Sequence, residues 1–117
     1  MASLGMQGPY PLSTAEIDRQ ITRTSAGNYA LTRSTEGTFY VNYVGRSDNN
    51  LNGRLKDHVG SKYSRFMFSP AASPKAAFEK ECHNYHDFGG SEKLDNERHP
   101  DRPGGTDWKC PRCQIFG

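Results

Sequence analysis

Two aromatic-aliphatic runs joined by a polar turn, and followed at once by a helix-forming segment, limit what this chain can fold into. Gly27 to Arg33 and Phe39 to Val44 are rich in the residues that suit a pleated surface, and Ser34-Thr35-Glu36-Gly37 between them has turn chemistry. That pattern predicts an antiparallel hairpin, with Phe39, Val41 and Tyr43 on one face and Tyr40, Asn42 and Val44 on the other. Gly45 to Asn50 reads as a loop. A helix then starts near Leu51 with Asn50 as its cap and Leu51, Leu55 and Val59 as its buried stripe. Arg54 and His58, four residues apart, share a neighbouring face and can reach one ligand together.

The flanks complete an α/β pattern. Leu12 to Arg23 reads as a short helix, because Ser13 and Glu16 have capping-box spacing and Ile17 and Ile21 make an i,i+4 apolar pair. Arg65-Phe66-Met67-Phe68 predicts a third strand. Ser73-Pro74 opens a long helix, with a hydroxyl cap and proline at the first position, and Ala77, Phe78, Cys82 and Tyr85 form its packed face. Beyond Gly89-Gly90 the chain is polar and proline-rich without periodicity until Trp108 and two cysteines. The expected organisation is a flexible stretch over 1–11, one domain over 12–96 and a polar tail over 97–117. The fold expected is a small three-stranded antiparallel sheet flanked by helices, with an irregular tail that zinc would tether.

Composition bounds the partners. A chain of 117 residues has room for one modest core. Its net charge of +2, from 15 Lys and Arg against 13 Asp and Glu, is too small for bulk electrostatics to argue nucleic-acid binding, so that case rests on where the arginines sit. No run approaches the roughly 18 apolar residues of a membrane span. The first residues have neither a basic region nor an apolar core, so a signal peptide is not expected and the cytoplasm is the default location. Three cysteines do not make a secreted disulfide framework.

The groups gathered between Gly27 and Glu81 suit a phosphodiester. Cleavage by water needs a base for the nucleophile, positive charge for the transition state and a Lewis acid on the phosphate. Tyr43 is one candidate for the base, its phenol activated by nearby cations. By patterning alone it equally suits a strand aromatic that fills the core. Tyr29, on the neighbouring strand, lines the same pocket and is the other candidate for the base. Arg54 offers bidentate contact to phosphate oxygens and stays charged at any working pH. Arg46 is placed for the scissile or adjacent phosphate, and His58 for proton relay or phosphate binding. Glu81 borders the packed face of the long helix and is preferred over Glu79 as the ligand for Mg²⁺ or Mn²⁺, which few carboxylates plus phosphate oxygens can hold. Lys56 and Lys62 add charge for nucleic acid along the same segment.

These residues resemble the GIY-YIG nuclease family. Gly27-Asn28-Tyr29 is similar to the first half-motif, with asparagine in the isoleucine slot, and Tyr43-Val44-Gly45 to the second. Arg54-Leu55-Lys56-Asp57-His58 resembles the family's arginine helix, Ala77-Phe78-Glu79-Lys80-Glu81-Cys82 the segment that supplies its metal-binding glutamate, and Asn96 its downstream asparagine. The resemblance spans roughly residues 27–96. It implies a tyrosine base at Tyr43, a metal-dependent endonuclease acting on DNA in repair, restriction or the processing of branched or foreign DNA, and a nucleic-acid contact at Asn96. Weak charge also fits an enzyme directed by a targeting protein.

Cys110-Pro-Arg-Cys113 is half of a zinc knuckle, which His86 and His99 are best placed to complete, ahead of His83 and Cys82. Two reduced cysteines near a terminus are the plain alternative. A second class of function, a non-catalytic nucleic-acid-binding or protein-interaction domain with a structural zinc, keeps the arginines and dispenses with the metal glutamate. A thiol redox role has little support, because no helix is expected to start at Cys110 and lower its thiolate pKa.

Overall fold

The stretch Gly27–Thr32 forms an inner strand of the sheet. In a computed structural model, which describes residues 5–96 except 23 and 38 (and only the backbone at 91 and 92), β2 (Gly27–Thr32) is buried along its whole length. It pairs antiparallel with β3 (Tyr43–Ser47) on one side and β4 (Arg65–Pro70) on the other. β1 (Gln7–Pro11) adds to the far side of β4, giving the order β1-β4-β2-β3.

The sheet therefore has four strands rather than three, and the stretch expected to be flexible supplies the fourth. Two prolines in Gln7–Pro11 hide a strand from propensity, but an edge tolerates them because one side of its ladder needs no donors. Tyr10 fastens it, its ring centroid 5.6 Å from that of Phe66 and 6.1 Å from that of Phe68.

The second half of the hairpin also differs from expectation. The strand begins at Tyr43 and runs through Arg46, which the sequence places in a loop. Asn42 ends the loop that precedes it: its side-chain oxygen accepts from the Arg33 backbone N–H at 2.9 Å, and its own N–H donates to the Leu31 carbonyl. That irregular approach breaks the alternation. Phe39 and Val41 pack with Val44 on one core, while Tyr43 packs on the other.

Helices cover both faces. α1 (Thr14–Gln20) and α2 (Leu51–Lys56) lie on the Tyr29 and Leu31 face, where Ile17, Ile21, Leu51, Leu55, Phe66 and Phe68 form the larger core. α3 (Pro74–Asp87) lies on the Asn28 and Ala30 face and packs Tyr85 against Ala30, Val44 and Leu94. The three caps read from sequence are present: Ser13 accepts from Glu16 N–H, Asn50 from Gly53 N–H and Ser73 from Ala76 N–H. α1 and α2 are each shorter than the pattern suggests, and His58 lies in the turn just past α2. After the short α4 (Gly90–Lys93), the chain passes along the outer edge of β3. Among the described residues no helix is long and apolar enough to cross a membrane. The 97–117 tail, with His99, Cys110 and Cys113, lies outside the described residues, and so does the proposed zinc tether.

Candidate active site

A cleft of about 320 Å³ opens at the edge strand β3 and is lined by Tyr29, Tyr43, Arg46, Arg54, His58 and Glu81, together with Gly45, Asp48 and Asp57. All six residues singled out as catalytic from the sequence thus meet in one place. They come from β2, β3, α2 with its following turn, and α3. Alternation along β3 explains how. Tyr43 and Gly45 face α1 and α2 with Tyr29, whereas Arg46 faces α3 with its cross-strand partner Asn28. The cleft therefore wraps around the margin of the sheet and takes side chains from both faces.

The phenol–imidazole half is closely packed. Tyr29 Oη lies 2.9 Å from His58 Nε2. The His58 ring centroid is 5.4 Å from that of Tyr29 and 5.5 Å from that of Tyr43, and the two tyrosine rings stack at 6.3 Å. Burial lowers the His58 pKa below the ordinary histidine range, and the Arg54 charge lowers it further against the opposing pull of Asp57. Both effects favour the neutral imidazole, and in its Nδ1–H tautomer Nε2 accepts the Tyr29 proton. Burial raises the Tyr29 phenol well above its usual range, with Tyr43 adding to this and Arg54 opposing it. Tyr43 is raised as well, by burial first and then by Glu81.

Close approach of Tyr29 explains the glycine at position 45. A β-carbon there would lie 2.4 Å from both Cζ and Oη of Tyr29, so the missing side chain is what lets the phenol cross the strand to reach His58.

On the other side of the edge, Arg46 holds two carboxylates. Its Nη1 donates to Glu81 Oε1 at 2.6 Å and its Nε to Asp48 Oδ1 at 2.9 Å, while its guanidinium carbon lies 5.2 Å from the centroid of the Phe78 ring. Burial works against the Arg46 charge, but Glu81 and Asp48 outweigh it and raise its pKa. Burial pushes the Glu81 carboxyl up to about 7, with Arg46 pulling it back down. Asp48 escaped the sequence reading; its only signal was its position two residues after Arg46.

Asn28, the departure from the motif, sets the depth of α3. Its side-chain N–H donates to the Ala77 carbonyl at 2.8 Å. Ala77 lies one turn before Glu81 on the same helix face, so the bond fixes how far into the cleft Glu81 is presented.

Arg54 is exposed at the cleft, and among the described residues no carboxylate pairs with it. Other sequence candidates stand elsewhere. Lys56 bridges α2 to α1 through Asp18 at 2.6 Å. Glu79 and His86 do not line the cleft, and the His86 ring meets the edge of Tyr85. Lys62 is an exposed neighbour, 3.5 Å from Asp95. Asn96 is buried with both ends of its amide bonded to Val44: Oδ1 accepts from Val44 N–H at 3.0 Å and Nδ2 donates to Val44 C=O at 2.7 Å. Its role in the structure is to seal the β3 edge, through one of its two Nδ2 hydrogens and its Oδ1.

The cleft suits a hard divalent cation at one point. Glu81 is a carboxylate at the wall of the cleft, and Arg46 occupies only one of its oxygens. Burial without full compensation has lifted its pKa, which a cation at the second oxygen would reverse. Among the described residues no three His, Cys, Asp or Glu side chains converge, so substrate oxygens and water would supply most of the shell. Compared with known proteins, the chain matches no family model, no curated protein and no solved structure.

Proposed function

We propose that the protein is a divalent-metal-dependent endonuclease that hydrolyses DNA phosphodiester bonds at the β3 edge. The observation that carries this is the meeting, in one cleft, of a phenol with a proton acceptor, an exposed guanidinium and a buried carboxylate. The resemblance of Gly27-Asn28-Tyr29 and Tyr43-Val44-Gly45 to the GIY-YIG half-motifs supports the same reading.

The hydrogen bond to His58 supports Tyr29, rather than Tyr43, as the base in this reading. As water attacks phosphorus, its proton passes to the Tyr29 oxygen while the Tyr29 proton passes to His58 Nε2. The phenol can then act as a base despite its raised pKa, because it never carries a full charge. Tyr43 stacks beside the pair and holds both rings in place. Arg54 meets the charge that develops on the non-bridging oxygens. Glu81 would hold Mg²⁺ or Mn²⁺, which when bound polarises the phosphate and stabilises the departing sugar oxygen.

One observation favours a second reading, a nucleic-acid-binding module without catalysis: Glu81 already has a cationic partner in Arg46. Plasmid nicking separates the two. Wild type should relax supercoiled DNA with Mg²⁺ or Mn²⁺. Tyr29→Phe, His58→Ala and Glu81→Gln should each lose about a hundredfold or more in rate while keeping a native circular dichroism spectrum. Tyr43→Phe should lose less than Tyr29→Phe, and the opposite order would return the base to Tyr43. A folded wild type that cuts neither plasmid nor a branched oligonucleotide, yet binds them, would establish the module instead.

A further inference from the structure

The row of rings in the cleft continues past it to Tyr63, which the mechanism above does not use. The Tyr63 ring centroid lies 5.9 Å from Tyr43 and 6.3 Å from His58. Its hydroxyl donates to Asp95 Oδ2 at 2.8 Å, and Asp95 is held in turn by Arg33 and Lys62. The ring is thus anchored at its tip and packed at one edge. The Lys62 ammonium lies over the ring, 5.6 Å from its centroid, on a side chain that is 60% exposed, so what caps that face of the ring is a solvent-exposed cation. A half-buried, fixed aromatic ring with exposed Lys62 and Arg33 around its Asp95 anchor, and exposed Arg54 in the adjoining cleft, is the combination that proteins use to hold single strands. Each base there stacks on a ring while cations follow the backbone.

We propose that Tyr63 is a stacking platform for an unpaired nucleobase next to the scissile phosphate, so that the preferred substrate is DNA with a single-stranded or frayed segment at the cut. This rests on the cleft being the phosphodiester site of the proposed nuclease. The direction follows from the geometry: a phosphate at Arg54 and His58 leaves the adjoining nucleoside within reach of Tyr43 and Tyr63. In an intact duplex both faces of a base are covered by its neighbours, and only an unstacked base offers a face to Tyr63. Lys62 then moves from the ring to the flanking phosphate.

The test uses the full chain without divalent metal, and oligonucleotides carrying 2-aminopurine, whose fluorescence falls when it stacks on a tyrosine. Wild type and Tyr63→Phe should quench a single-stranded probe on binding, and Tyr63→Leu should not. Tyr63→Leu should also weaken single-strand binding by about 5- to 150-fold and leave blunt-duplex binding unchanged. The platform is overturned if wild type binds the single-stranded probe without quenching it, if it binds neither probe, or if Tyr63→Leu weakens both substrates equally. Plasmid nicking with Mn²⁺ on the same preparations separates this idea from the one beneath it. Nicking without quenching removes the platform and keeps the nuclease. Quenching without nicking keeps the platform as part of a binding module.

Discussion

Gly45 and Tyr29 face each other across β3 and β2, and the phenol occupies the space that any side chain at Gly45 would need. Gly45→Ala should therefore act through Tyr29. The ring must swing away from His58, the 2.9 Å bond is lost, and the plasmid-nicking rate should drop by about a hundredfold, as for other small misplacements of a reacting group. Adding Gly45→Ala to Tyr29→Phe should then cost little more, and a further large drop in the double variant would show that Gly45 acts elsewhere. Glu81 allows a test that needs no substrate. Its carboxyl sits at about 7 in the folded protein against an ordinary 4.5. The folded chain thus holds this proton more tightly than the unfolded chain does. The stability it contributes is present below the unfolded value and lost as pH rises through the folded one. Gln imitates the protonated form at every pH. Without divalent cations, the melting temperatures of wild type and Glu81→Gln should nearly agree at acid pH. By pH 8 the variant should lead, by on the order of 4–8 °C for each kcal/mol. Parallel curves would show that Arg46 fully compensates the ionised carboxylate.

Among the elements, β3 is the one that stabilises the site and the one most exposed to loss. It is an edge strand that carries three residues of the cleft, and what covers its open side is a side chain, Asn96, whose amide imitates a peptide group toward Val44. Asn96→Ala should cost about 1–3 kcal/mol and leave a bare strand edge prone to pairing with another copy. A lower urea midpoint with an unchanged slope, together with concentration-dependent light scattering, is the expected result; an unchanged midpoint would make the seal ornamental. The sequence could be read well where local chemistry decides. Ser13, Asn50 and Ser73 each cap the helix they announce, and Ala77, Phe78, Cys82 and Tyr85 are buried as their spacing requires. It could not be read where tertiary contacts override propensity. Gln7–Pro11 is a strand only because Tyr10 finds Phe66 and Phe68. The offset of β3 depends on the Asn42 bonds to Arg33 and Leu31 across the connecting loop, which residue propensities do not report.

For the molecule as a whole, the six catalytic candidates could be named from residue chemistry together with a family resemblance, but their arrangement could not. Nothing in the spacing of Arg46 and Glu81 foretells that they pair at 2.6 Å. The Asn28 bond that sets the depth of Glu81 likewise joins residues 49 positions apart. The same arrangement divides the site between two supports. Tyr29, Tyr43 and His58 rest on the core built with α1 and α2; Arg46 and Glu81 rest on α3. Such layers open with separate free energies, below that of global unfolding. If α3 lifts away at low denaturant, the phenol–imidazole pair survives while the carboxylate is lost. Native-state hydrogen exchange should then show α3 amides opening before those of β2, and nicking should cease at urea concentrations where tyrosine fluorescence still reports a folded sheet. The cleft would thus be an assembly of two independently ageing halves, and its working lifetime would be that of the weaker one.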